Sequence, residues 1–80
     1  MYYVYILKSQ VVPDKIYIGF TINLEERLKS HNAKKSLFSK RYAPWEVFSY
    51  TVFHEKSKAM KFEKYLKSGS GFAFLKKHLI

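Results

Sequence analysis

Tyr17, Gly19, Arg27 and His31 stand close together in the stretch KIYIGFTINLEERLKSHN, residues 15–32. Tyr17 offers a phenol, Arg27 a planar cation with a fork of donors, and His31 an imidazole that titrates near neutrality. Gly19 leaves room beside the phenol. This set suits a phosphate ester better than an apolar ligand, because the guanidinium fork matches two phosphate oxygens. A second anomaly lies far along the chain. Ala59, Phe62 and Leu66 form the apolar stripe of a helix, and Glu63 falls within it, whereas Lys58, Lys61, Lys64 and Lys67 lie outside its centre. An ionised carboxylate on a buried face is costly unless paired or metal-bound. Glu63 therefore needs a partner, either a metal or a cation such as Arg27 or a lysine.

The elements that must position these side chains follow from periodicity. Ile16, Ile18 and Phe20 alternate with Tyr17 and Gly19, the pattern of a half-buried strand. Asn23 and Glu26 have the spacing of a capping box and open a helix in which Leu24 and Leu28 share a face. At ~100° per residue, Arg27 and His31 lie along one edge of that leucine stripe. Tyr2–Leu7 is a preceding strand, and Pro13-Asp14 marks the turn between the two, so they should pair as an antiparallel hairpin. If Val4, Ile6, Ile16 and Ile18 share the core face, Tyr5 and Tyr17 share the other, with their hydroxyls close together on a shallow cleft beside Arg27. The alternative is that both are aromatic strand formers with hydroxyls in water.

Residues 33–44 are polar and basic, with Lys34, Lys35, Lys40 and Arg41 interleaved with Phe38 and Tyr42. That is the pattern of a loop that tracks a nucleic-acid backbone and stacks on bases, or equally of a solvated linker. WEVFSYTVF, residues 45–53, is a third strand, dense in β formers and long enough to be central. Ser57 is placed to cap a helix over 58–67 that Gly69 ends, and Ser68-Gly69-Ser70-Gly71 reads as a hinge. A last helix over 72–79 carries Phe72, Leu75 and Leu79 on one stripe, with Lys76, Lys77 and His78 where positive charge suits the helix dipole. The order β-β-α-β-α-α gives an α+β fold, a three-stranded antiparallel sheet flanked by helices, in one domain over residues 1–80.

Composition bounds the function. At 80 residues a single core is marginal, and the 19% of aromatic residues compensates by the large area each buries. The absence of cysteine excludes a disulfide framework and any thiolate nucleophile or metal site. Lys and Arg number 15 against six acids, and the resulting +9 favours nucleic acid or an anionic surface as partner, with nucleic acid ahead of the alternative of general solubility. The start MYYVYILKS lacks signal-peptide character, and no apolar run reaches membrane-spanning length, which suggests a soluble, cytoplasmic protein with no membrane contact.

Taken together, these residues resemble the GIY-YIG nuclease family. Its second signature triplet stands as Tyr17-Ile18-Gly19 and its first, altered, as Tyr3-Val4-Tyr5. The helix with Arg27 and His31 and the later helix with Glu63 follow in the family's order. The likeness spans essentially the whole chain and is strongest to small, stand-alone bacterial members, through the YYVYIL start and the segment around EKYLKSG. The resemblance implies a metal-dependent endonuclease that hydrolyses DNA phosphodiester bonds, in a repair or recombination setting. It further implies Glu63 as ligand of a divalent ion, Mg²⁺ or Mn²⁺, and Arg27 as the group that meets the phosphate's developing charge. Tyr17 would be the general base toward the attacking water, Tyr5 the second signature tyrosine that positions it, and His31 a supporting polar residue. Many members carry a late asparagine; no asparagine follows Asn32 here, and Ser68 or Ser70 is the polar candidate in its place. Two other readings stay open: a nucleic-acid-binding module of the same fold without turnover, and a protein-interaction domain in which Arg27 and Glu63 pair only structurally.

Overall fold

The first strand, β1 (Tyr2–Ser9), carries four consecutive buried residues, Val4 to Leu7, so both of its faces are covered. The computed structural model describes residues 1–33 and 37–80. After β1 come β2 (Ile16–Thr21), α1 (Leu24–Asn32), α2 (Leu37–Tyr42), β3 (Trp45–Phe53), α3 (Lys56–Leu66) and α4 (Gly69–His78). The strands form one antiparallel sheet in the order β2-β1-β3, which is the expected α+β architecture. The centre of the sheet is β1, not β3. A central strand under two covered faces reads as a continuous apolar run. The described burial of β3 instead alternates strictly along the strand, as at an edge.

The two faces hold separate cores. Val4 and Ile6 pack with Ala59, Leu66 and Leu75 under α3 and α4, joined by Ile16, Ile18 and Phe20 from β2. On the other face Tyr5, Leu7 and Trp45 pack with Tyr17, Leu24 and Leu28 under α1. The phenol face is therefore a second core and not an open cleft, and Tyr5 is only 1% exposed. The leucine stripe of α1 covers the strand face opposite the isoleucines.

Three local expectations are corrected. Within residues 33–44, the segment Leu37–Tyr42 is the helix α2, not loop. At the next helix, Glu55 rather than Ser57 takes the N-cap position, without a side-chain cap, and Ser57 lies inside the first turn. The Ser-Gly-Ser-Gly tetrad is the start of α4 and not a hinge: the Ser68 Oγ accepts from the Gly71 amide at 3.3 Å and donates to the Tyr65 carbonyl at 2.6 Å. That double use commits Ser68 to the α3–α4 junction. Gly71 is required there, because a β-carbon would collide with the Tyr65 carbonyl. No helix among the described residues is long and apolar enough to cross a membrane.

Candidate active site

The site is built on the hairpin and on α1. In the β1–β2 register Tyr5 faces Gly19 and Leu7 faces Tyr17, so the two phenols are diagonal neighbours on one face. Their rings stack at 6.2 Å between centroids. The α1 helix starts where the capping box predicts: the Asn23 Oδ1 accepts from the Glu26 amide at 3.1 Å, and the Asn23 amide group donates to the Glu26 carboxylate at 3.4 Å. This start sets the angular position of Arg27 and His31 one and two turns further on.

All three polar groups meet at the Tyr5 hydroxyl. The Arg27 Nε donates to it at 3.2 Å, and the His31 Nε2 lies 3.3 Å from it. Arginine can only donate, so Tyr5 accepts from Arg27 and its own proton is free for His31. That arrangement uses each proton once and requires an unprotonated Nε2. The electrostatics favour the neutral ring that such an arrangement needs. Burial holds the His31 pKa below its usual value, helped by the nearby Arg27 charge. Burial likewise pushes the Tyr5 hydroxyl above the usual phenol value, against the opposing hydrogen bond and charge of Arg27. The hydrogen bond to Tyr5 in turn keeps the guanidinium firmly protonated, and Tyr17 shares in that effect as a further hydrogen-bond partner. Arg27 thus reaches both phenols while its residue remains exposed to an incoming anion.

Glu63 approaches from α3. Its negative charge is close enough to Tyr5 to add to the upward shift of that phenol. The wheel predicts a buried carboxylate in need of a partner; the side chain is 22% exposed and pairs with the Lys67 Nζ at 3.2 Å, one turn along the same helix. No group of three or more acids, histidines or cysteines that could cage a metal occurs among the described residues. A lone, partly exposed carboxylate such as this would fit Mg²⁺ or Mn²⁺, which keep most of their water and bind through one or two carboxylates. It does not fit Zn²⁺ or a protein-caged Ca²⁺.

Of the basic residues expected to meet nucleic acid, Lys40 and Arg41 lie exposed on α2, with the Arg41 guanidinium 5.9 Å from the Tyr42 ring centre. Lys34 and Lys35 lie outside the described residues. Two contributors escape sequence reasoning. The Trp45 ring lies 6.3 Å from His31 and 6.4 Å from Tyr17, edge-on to both, and walls the site on the β3 side. Asn32 fixes that wall: its Oδ1 accepts from the Trp45 amide at 2.6 Å, and its Nδ2 donates to the Trp45 carbonyl at 3.1 Å. An amide side chain at the end of a helix, next to His31, is the one available sequence signal for this clamp.

Comparisons with known proteins agree with this fold. The family model described as GIY-YIG catalytic domain matches residues 1–76. The UPF0213 protein of Oceanobacillus iheyensis is 37% identical over 76 residues, covering 94% of this chain and 86% of its own. The UPF0213 protein of Staphylococcus haemolyticus is 36% identical over 70 residues, covering 86% of this chain and 83% of its own. A Clostridium perfringens UPF0213 protein is 35% identical over 68 residues, 84% of this chain and 71% of its own.

Proposed function

This chain belongs to the GIY-YIG family and carries its nuclease-type catalytic domain, and from that premise we propose that it is a metal-dependent endonuclease hydrolysing DNA phosphodiester bonds, in repair or recombination. The observation that carries this reading is the Tyr5 hydroxyl held between Arg27 and His31, with Tyr17 stacked beside it and the charge of Glu63 within reach. The same juxtaposition supports one unit over residues 1–80.

In this reading each residue has a separate task. Arg27 spends Nε on Tyr5 and another donor on Tyr17, and turns its remaining N–H groups to the phosphate as charge builds. Tyr5 keeps its proton, because burial favours the neutral phenol, and so fixes the orientation of Arg27 and His31. As general base Tyr17 acts as the phenolate: it first yields its own proton to solvent, with the Arg27 cation beside it to favour the anion, and then takes the proton of the attacking water, while the leaving oxygen takes its proton from solvent. His31, kept neutral, accepts from Tyr5 and orients it. Glu63 is the residue that would hold Mg²⁺ or Mn²⁺ after release from Lys67. When bound, the ion would supply Lewis-acid stabilisation to the phosphate.

The Glu63–Lys67 ion pair favours a second reading, a nucleic-acid-binding module of this fold with weak or lost turnover. A cleavage assay over plasmid, nicked, flapped and branched DNA, in Mg²⁺ or Mn²⁺ against EDTA, separates the two. Metal-dependent products support the endonuclease. Salt-sensitive binding with no product on any substrate supports the module.

A further inference from the structure

Away from this site, the outer surface of the α3–α4 pair carries rings and cations in alternation. On α3, Lys61 and Tyr65 are four residues apart and share a face. On α4, Phe74 and His78 are four apart, and Lys77 follows Phe74 by three. The Tyr65 and Phe74 rings join the two faces at 6.3 Å between centroids, and Phe74 meets His78 at 4.8 Å. Tyr65 and Phe74 are 42% and 37% exposed, and Lys61, Lys77 and His78 are exposed as well. Among the described residues Lys61, Lys64 and Lys77 have no acidic partner, whereas Glu55 and Glu63 are already engaged by Lys58 and Lys67. Positions 63 and 65 differ by ~200° around a helix, so this strip lies on the opposite flank of α3 from Glu63.

We propose that this strip is a second nucleic-acid surface, one that holds a single strand by stacking bases on Tyr65 and Phe74 while Lys61 and Lys77 meet its phosphates. Exposed rings at a basic surface favour a single strand over a duplex, because only unpaired bases present their faces for stacking. Charge favours it over an apolar protein partner, since burying Lys61 and Lys77 against apolar groups would strand both charges. The inference rests on the nuclease reading for its substrate class alone. It assigns the strip to a tail or displaced strand next to the strand being cut.

The test is fluorescence anisotropy with a labelled thymidine dodecamer and a labelled duplex of equal length, in EDTA, so that binding is read without cleavage. Tyr65→Ser and Phe74→Ser should each weaken single-strand binding by roughly fivefold to a hundredfold, with duplex binding changed less than about twofold. Tyr65→Phe, which keeps the ring, should bind as the parent does. Lys61→Gln with Lys77→Gln, both exposed and safe for folding, should make the salt dependence shallower by about 0.7 per lysine on single strands. Parental single-strand binding by the ring variants, or equal losses on both DNAs, would overturn the proposal. So would vesicles with an anionic lipid that bind through these residues while the dodecamer does not. Cleavage of a short duplex in Mg²⁺, measured on the same variants, tests the nuclease reading separately: a chain that never cleaves but loses dodecamer binding as stated keeps the strip and loses the enzyme.

Discussion

The ring of Tyr5 lies across its cross-strand partner Gly19, and a β-carbon at position 19 would collide with the Cζ and hydroxyl of that phenol. The glycine of the second signature triplet is thus explained by the phenol of the first. Tyr5 is buried and bonded to Arg27 and His31, so its ring has nowhere inexpensive to move. Gly19→Ala is expected to cost ~1–3 kcal/mol of stability, as overpacked cores do. A displacement of the hydroxyl by about 1 Å should lower cleavage roughly a hundredfold. Melting and turnover measured on one preparation check this. Parental turnover at reduced stability would detach Tyr5 from the chemistry.

The pH dependence follows from His31. Its folded pKa lies below the ordinary value, so the unfolded chain binds more protons between the folded value and ~6.5. Stability is then full above ~6.5 and is lost as pH falls through the folded value. His31→Gln should flatten that part of a stability curve measured by urea unfolding from neutral to mildly acidic pH. Tyr5 acts at the other end: its raised pKa makes stability fall as pH rises above ~10, and Tyr5→Phe should remove that fall. Curves that keep both slopes in the variants would show that other groups set them.

Much of this arrangement was legible because it rests on short-range rules. Parity in a hairpin puts Tyr5 and Tyr17 on one face, and a capping box fixes the phase of α1, so the meeting of Tyr5, Arg27 and His31 follows from local spacing. What escaped depends on long-range packing. Residues 45–53 look central because they are rich in β formers, yet centrality is decided by what covers each face, and β1, unlike β3, is buried on both. Ser68-Gly69-Ser70-Gly71 looks like a hinge because glycine is a poor helix former, but close approach to Tyr65 selects Gly71 and the Ser68 cap offsets the cost. The Asn32–Trp45 clamp joins residues whose proximity no periodicity encodes.

Binding of duplex DNA should be electrostatic, with Lys40 and Arg41 on the exposed side of α2 among its contacts. Log affinity should fall linearly with log salt, and Lys40→Ala or Arg41→Ala should each make the slope shallower by about 0.9. Lys34→Ala and Lys35→Ala are expected to act alike, with little change in sequence preference. A titration series in KCl measures the slopes. A slope identical to that of the parent removes the substituted residue from the interface.

Glu63→Gln is the sharpest probe of the metal assignment. The change keeps shape and removes the charge that would hold the ion, so cleavage in Mg²⁺ should drop by orders of magnitude. Affinity for DNA without metal should hold or rise, since one negative charge near the phosphates is gone. A fully buried pair would lose roughly 3–5 kcal/mol on this change. The Glu63–Lys67 pair is instead partly exposed and local to one helix, so the loss should be only about 0.2–1 kcal/mol. Lys67→Ala supplies the contrast. If Glu63 serves the ion, removing the competing ammonium should leave cleavage intact or raise it and lower the Mg²⁺ concentration needed for half activity. If the pair is structural, Lys67→Ala and Glu63→Gln should lower the melting temperature alike and leave turnover where it was. Melting temperature, Mg²⁺ titration of cleavage and metal-free DNA affinity, taken for the parent and both variants, decide between a ligand and a surface ion pair.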